Sequence, residues 1–181
     1  MLENKKLLKY SIIGFFVISI IGTFLHFTYD MFGRNIIFAP FSSVNESVWE
    51  HVKIAVMPMF LWTIFEFCEI MYRPKNLWTS LLVKILTAML IIILSYYTYT
   101  YIIGRHVLGA DIAIFYIAIF ISQLLGYKVA ICRDVDKNVE EIYKYIVIFI
   151  FIIFVLFTFI PPRFDLFKDE TTETYGVFEF K

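Results

Sequence analysis

The sequence has few charged residues and no excess of either sign. Asp, Glu, Lys and Arg make up 18% of the 181 residues, and 16 basic side chains balance 16 acidic ones. Soluble domains carry about 25% charged residues, and nucleic-acid-binding proteins concentrate basic residues in a patch or stripe. We therefore exclude a nucleic acid as partner, and the 20% share of aromatic residues excludes a disordered chain.

Familiar catalytic motifs are also missing. The seven glycines are scattered along the chain, so there is no glycine-rich loop that would bind phosphate. No Gly-x-Ser-x-Gly sequence marks a nucleophilic serine. The sequence therefore assigns no catalytic residue.

Long apolar runs, in contrast, are abundant. Hydrophobic residues make up 60% of the chain, the mean hydropathy is +0.77, and a helix of roughly 20 apolar residues crosses a bilayer. The sequence predicts an all-α, polytopic protein of the cell membrane, a five-transmembrane-helix bundle in one domain over residues 1–181. The predicted transmembrane helices are residues 10–27, 52–71, 85–103, 112–131 and 145–160.

The distribution of Lys and Arg predicts the orientation of the bundle. With five spans, the side of the membrane that carries the N-terminus holds ten of the 16 basic residues. The side richer in Lys and Arg normally faces the cytoplasm. We therefore predict the N-terminus inside and the C-terminus outside, with Lys84 reaching the inner surface by snorkelling. Residues 34–48 then form an outer loop, either interfacial or re-entrant, and residues 161–181 form an outer tail. Cys68 and Cys132 fall on the reducing inner side, which predicts free thiols.

Polar residues that are unusual in a membrane protein collect at the predicted outer ends of the helices. Some are one helical turn apart and share a face, as His26 and Asp30 do on the first helix and Tyr97 and Tyr101 on the third. Together they predict an outward-facing pocket for a small ligand or a lipid headgroup. Its candidate residues are His26, Asp30, Glu46, Glu50, His51, Tyr97, Tyr101 and Asp111.

Part of this set also suits a divalent metal. His26, Glu50 and His51 offer the mixed nitrogen and oxygen ligands found at zinc, manganese or iron sites. The spacing is not the His-Glu-x-x-His of metalloproteases. A simpler structural interpretation is that Ser43 with Glu46, and Ser47 with Glu50, form capping boxes at the start of the second helix.

Two polar residues are predicted to lie deeper in the membrane. Glu66 and Gln123 fall at similar depth, and an isolated carboxylate there would be costly. We expect the two side chains to form a hydrogen bond or to line one cavity. The alternative is that Glu66 snorkels to the inner headgroups.

Several phrases of the sequence are distinctive. The clearest is Asn45-Glu46-Ser47-Val48-Trp49-Glu50-His51, which follows His26-Phe27-Thr28-Tyr29-Asp30. Further phrases are Tyr97-Thr98-Tyr99-Thr100, Asp111-Ile112, Gln123, Pro161-Pro162 and Tyr175-Gly176. With these the chain resembles an uncharacterised bacterial family of small integral membrane proteins, described only as a domain of unknown function. The resemblance implies a membrane location and a compact helical bundle, and it implies no activity.

Three functions stay open from the sequence. The first is a bundle that binds a small ligand or lipid headgroup in the outer pocket. The second is a metal-dependent hydrolase or transferase that acts on lipid inside the membrane. The third is a structural or assembly protein that docks another membrane protein through an exposed apolar patch at residues 36–41. The lipid bilayer is the expected partner in each case, and the first and third functions also call for a second copy of the chain or another membrane protein.

Overall fold

The computed structural model describes residues 2–69, 76–132 and 135–179. This part of the chain forms five α-helices and one short 3-10 turn at Asp165–Phe167, without any strand. The helices are α1 (Leu2–Met31), α2 (Val48–Glu69), α3 (Leu77–Ile103), α4 (Leu108–Ile131) and α5 (Lys137–Phe159). The prediction of an all-α chain with five long helices is therefore confirmed.

All five helices are long and apolar enough to cross a membrane. Each helix begins before its predicted span, and α1 begins at Leu2 instead of residue 10. The reason is that the backbone stays helical past the apolar run, through Lys5 and Lys9, whereas hydropathy detects only the apolar part. The second predicted span ended at Met71, which lies outside the described residues, as does the side chain of Cys68. Cys132 is a free, exposed thiol, as predicted.

Helix α2 forms the centre of the bundle. Residues 52–60 are all buried, and α2 packs against α1 and α3, with a smaller contact to α4. Helix α1 also contacts α4, while α5 packs against α3. Large apolar side chains such as Phe149 and Ile152 of α5 face outward, as expected for helices surrounded by lipid.

The end of the bundle that carries the described part of the tail, residues 161–179, is called the tail end below. The segment between α1 and α2 lies there as consecutive turns without a helix. Ala39 in this segment is fully buried, whereas Ile36 and Ile37 are exposed. Helix α3 also ends at the tail end, where Gly104 adopts a left-handed conformation with φ of 78°, which favours glycine.

The start of α2 differs from the predicted capping boxes. The Ser47 hydroxyl caps the helix by accepting from the Glu50 amide at 3.4 Å. The Glu50 carboxylate accepts instead from the Val44 amide at 2.9 Å, and the Ser43 hydroxyl donates to the Asn45 carbonyl. The loop before α2 therefore folds back on itself, and only half of one box is formed.

The buried polar residues toward the end of the bundle opposite the tail end pair differently from the prediction. Glu66 accepts from the Trp62 indole at 2.9 Å and pairs with Lys84 at 3.2 Å. Lys84 is therefore buried and does not snorkel. Both amide atoms of Gln123 are buried without a hydrogen-bond partner in the described structure, and Gln123 does not line the small cavity beside Glu66. The predicted contact between Glu66 and Gln123 is not formed, because a lysine two turns into α3 offers the carboxylate a stronger, charged partner.

Candidate metal centre and ligand pocket

Two histidines and a glutamate from three segments meet at the tail end. His26 lies near the end of α1, His51 in the first turn of α2, and Glu46 in the loop before α2. The Nε2 atoms of His26 and His51 lie 3.8 and 3.7 Å from the two carboxylate oxygens of Glu46. One ligand atom from each of the three residues lies within 4.8 Å of the others. A cluster of this composition could hold a single metal ion.

The hydrogen bond of His51 determines which ring nitrogen faces Glu46 with a lone pair. Nδ1 of His51 lies 2.9 Å from the Ser47 carbonyl oxygen. A carbonyl oxygen only accepts, so Nδ1 carries the hydrogen, and Nε2 of the neutral ring keeps its lone pair. The lone pair of Nε2 and the carboxylate oxygen of Glu46 repel each other unless a proton or a metal ion lies between them. The backbone contact is also the kind that orients histidine ligands of metals.

The His26 ring is less well satisfied. Its Nδ1 atom is buried without a hydrogen-bond partner among the described residues. Its ring centroid lies 5.3 Å from that of His51. Buried polar atoms are rarely left unpaired, so this histidine is also poised for an additional partner.

The three residues line one side of a pocket of about 290 Å³. Its deeper wall is apolar and includes Ile92 of α3 with Ile114 and Phe115 of α4. Gly22 of α1 closes the wall from behind, since a Cβ atom there would lie 2.7 Å from the Phe115 ring. The pocket therefore has a polar side at the tail end and an apolar floor within the bundle.

The pocket is also lined by two carboxylates, each of which accepts a hydrogen bond from a tyrosine. The hydroxyl of Tyr96 donates to Glu170, and that of Tyr99 donates to Asp111. Nδ1 of His106 lies 3.8 Å from Asp111, and His106 also lines the pocket. Helix α4 and the tail thus place two further acidic groups in the same pocket as the histidine cluster.

Asp169 in the tail supports the cluster of His26, Glu46 and His51 through the backbone of Glu46. Its carboxylate accepts from the Glu46 amide at 3.0 Å and from the Thr171 and Thr172 amides. Burial raises the pKa of the Asp169 carboxyl, but these hydrogen bonds, with that of the Thr171 hydroxyl, outweigh burial and hold the pKa below its usual value. The ionised form of Asp169 therefore fixes the backbone of Glu46.

The structure brings together four of the eight residues predicted for the pocket. His26, Glu46, His51 and Asp111 line it. The other four point elsewhere, so the geometry corrects this part of the prediction. They are Asp30, which pairs with Arg34 at 3.0 Å, Glu50, which pairs with Lys53 at 2.6 Å, and Tyr97 and Tyr101, which line a shallow neighbouring groove.

The predicted metal set also changes in one member. Glu50 was expected beside His26 and His51, but its carboxylate is turned inward to Lys53 and the Val44 amide. Glu46 takes its place. The reason is that Glu50 lies on the buried face of α2, whereas the loop leaves the Glu46 side chain half exposed.

Several pocket residues escaped the sequence reasoning. They are Tyr96, Glu170 and Thr171, and only the folding of the tail back onto α3 brings Glu170 to Tyr96. A weak signal was available in the tyrosine-threonine run at residues 96–101.

The profile of a family of unknown function, DUF6512, matches residues 1–177. The chain belongs to this family. The resemblance to an uncharacterised family inferred from the sequence is thereby confirmed. No curated protein and no solved structure matches the chain. Membership of DUF6512 implies no activity, so function has to be argued from the geometry of the site.

Proposed function

We propose that this protein binds a divalent transition metal, zinc by preference, at His26, Glu46 and His51. The observation that carries the proposal is the convergence of three ligand atoms within 4.8 Å of one another. Two histidines and one glutamate are a known ligand set of catalytic zinc, which leaves the fourth position to water or substrate. Ligands of one tetrahedral zinc lie roughly 3.3 Å apart, given bonds of about 2 Å. The side chains therefore need only a small contraction to surround the ion.

The metal centre supports hydrolysis or group transfer at the membrane surface. The three ligands line the pocket, so a substrate in the pocket would lie beside the ion's open position. A metal ion lowers the pKa of bound water and polarises a carbonyl oxygen. In hydrolysis, the water oxygen bonds to the carbonyl carbon of an ester or amide, the bond to the alcohol or amine breaks, and the leaving group takes up a proton. Asp111 and Glu170 are the carboxylates available to transfer that proton.

Elemental analysis of the purified protein tests the metal centre. The wild-type protein, refilled with zinc after chelation and dialysed, should retain about one zinc per chain. His51→Ala and Glu46→Gln should each lower zinc affinity by about 10-fold or more, because each removes one of only three protein ligands of an open zinc site.

His106→Ala is the matched control. His106 lines the same pocket and is 61% exposed in its side chain, but it is not part of the ligand cluster. Its removal should leave zinc stoichiometry unchanged. Equal zinc content in the wild type and His51→Ala would reject the proposal.

The second candidate is a pocket that binds a small ligand or lipid headgroup without any metal. The apolar floor and the two tyrosine-held carboxylates favour it, since neither depends on an ion. It would be supported if the protein held no zinc, manganese or iron after metal loading yet still bound ligand. The assembly function is less favoured because its expected mark was an exposed patch at residues 36–41 in place of a cavity, and here a cavity is present beside the exposed Ile36, Ile37 and Phe41.

We also propose that the pocket opens to the outer face of the cell membrane. The support is the excess of Lys and Arg at the amino-terminal side. In intact cells, a membrane-impermeant maleimide should label Glu173→Cys in the exposed tail and should not label Cys132. Labelling of Cys132 alone would reverse the orientation.

A further inference from the structure

Among the residues that the structure describes, the pocket is lined by acidic side chains without lysine or arginine to balance them. Its described lining contains three carboxylates, Glu46, Asp111 and Glu170, and no lysine or arginine. Even a bound divalent ion would not balance these three carboxylates in formal charge. Arg105 lines the neighbouring groove instead of the pocket. An anionic ligand would therefore meet carboxylates without a lysine or arginine of the described lining to pair with it.

The two pocket carboxylates that are not part of the ligand cluster are arranged as acceptors. Glu170 and Asp111 each accept a hydrogen bond from a tyrosine hydroxyl. An ionised carboxylate accepts about four hydrogen bonds, so each keeps free acceptor positions. A protonated amine is a donor only, with three hydrogens, and aromatic rings such as that of Tyr96 attract cations at their faces.

The apolar floor of the pocket favours a ligand that has an apolar part. Ile92 lies one turn deeper than Tyr96 on α3, and Phe115 lies one turn deeper than Asp111 on α4. A volume of about 290 Å³ is at the lower limit of ligand pockets, roughly 300–1,000 Å³. The cavity therefore accommodates a polar head and a few carbon atoms.

We infer that the ligand of this pocket is an amphiphilic amine, with its ammonium group between Glu170 and Asp111 and its apolar part on the floor. The inference rests on the proposed function, because it assigns the substrate class of the same metal-containing pocket. An amine-bearing lipid headgroup and a free alkylamine share this chemistry. A phosphate head is the ligand that Glu170 and Asp111 disfavour, since both are carboxylates.

Calorimetry with two matched probes tests the inference. The full chain, zinc-loaded in a neutral maltoside detergent, is titrated with hexylammonium and with hexyl phosphate. Hexylammonium should bind at least about 10-fold more tightly, since only it can form charge-assisted hydrogen bonds to the carboxylates. Glu170→Gln should weaken hexylammonium binding by about 10-fold. Glu173→Gln, which removes a tail carboxylate outside the pocket, should have no effect.

The outcomes separate the two proposals. Glu170 is exposed and is not one of the metal ligands, so zinc content measured in the same samples should not change in Glu170→Gln. If zinc binds but hexyl phosphate binds as tightly as hexylammonium, or neither binds, the amine inference is overturned and the metal centre stands. If no zinc binds, but the protein still binds hexylammonium more tightly than hexyl phosphate and Glu170→Gln still weakens that binding, only the metal proposal fails. A vesicle series with and without an amine-bearing lipid, used as competitor, then distinguishes a lipid headgroup from a free amine.

Discussion

Lys53 is fully buried, yet every hydrogen of its ammonium group has an acceptor. Nζ donates to the Ala39 carbonyl at 3.0 Å and to the Thr158 hydroxyl at 2.8 Å, and it pairs with Glu50 at 2.6 Å. The lysine thereby joins α2 to the loop after α1 and to α5. Burying two charges is costly unless their geometry and remaining hydrogen bonds are satisfied, and here they are.

Removal of this lysine should be strongly destabilising. Lys53→Met leaves Glu50 buried without its counter-charge, so the free energy of unfolding should fall by about 3–5 kcal/mol. Titration with a denaturing detergent measures the loss. The double variant Lys53→Met/Glu50→Gln should recover part of it, because no unpaired charge remains.

The chain offers a matched control for this pair. Lys144 and Glu141 have the same i,i+3 spacing and the same 2.6 Å distance, but they lie at the surface. Lys144→Met should leave the unfolding transition unchanged, since exposed ion pairs contribute little. A loss of stability in Lys144→Met as large as in Lys53→Met would show that burial is not the cause.

Helices α1 and α2 approach closely one turn before a proline of α2. Pro58 has no amide hydrogen, so it leaves the carbonyl of Ile54 without its usual helical partner. Gly22 of α1 lies directly against that carbonyl, because a Cβ atom at Gly22 would be 2.6 Å from the Ile54 oxygen. Small residues permit such contacts between membrane helices. His26 follows Gly22 by one turn, so this contact also positions a proposed metal ligand.

An added methyl group at this contact should separate the helices. Gly22→Ala should lower the free energy of unfolding by about 1–3 kcal/mol through overpacking, and it should weaken zinc binding by displacing His26. Gly109→Ala is the control, since nothing lies within 4 Å of a Cβ atom there. Alanine favours helix over glycine by up to about 1 kcal/mol, so Gly109→Ala should be neutral or stabilising. Equal losses in the two variants would argue against a close helix contact at Gly22.

For the molecule as a whole, the tail completes the pocket. Phe167 packs against Trp49 with ring centroids 4.8 Å apart, and Trp49 stacks on Phe154 of α5 at 4.5 Å. Asp169 then holds the backbone of Glu46, and Glu170 lines the cavity. The aromatic contacts are independent of pH, whereas the contact of Asp169 depends on its ionisation.

The hold of the tail on Glu46 should therefore weaken in acid. Because the pKa of Asp169 is lowered by folding, its contribution to stability is fully present above the unfolded pKa of about 3.8 and is lost as the pH falls through the lower, folded pKa. Stability should decline below about pH 3.8 in the wild type. Asp169→Asn should be less stable at neutral pH and should lack this part of the decline. Limited proteolysis of the tail at several pH values measures the difference, and identical profiles would contradict it.

The sequence by itself determined the helical class and the number of long apolar helices, because apolar runs of this length have no other stable form in a membrane. It also indicated the tail end as the polar end, since His26 and His51 flank the same loop. It did not determine the partners of charged side chains. Glu50 and Glu46 are four residues apart, and only packing decided that the first is buried with Lys53 and the second reaches the histidines.

Tertiary structure also decided the partners of the deeper residues and the shape of the pocket. Glu66 pairs with Lys84, a contact between two helices that no local spacing encodes. Glu170 reaches Tyr96 across 74 positions in sequence, because the tail folds back over α3. Hydropathy depends on each residue's own transfer energy, so it can be read directly from the sequence. A binding site depends on distances between segments, which exist only after the helices have packed.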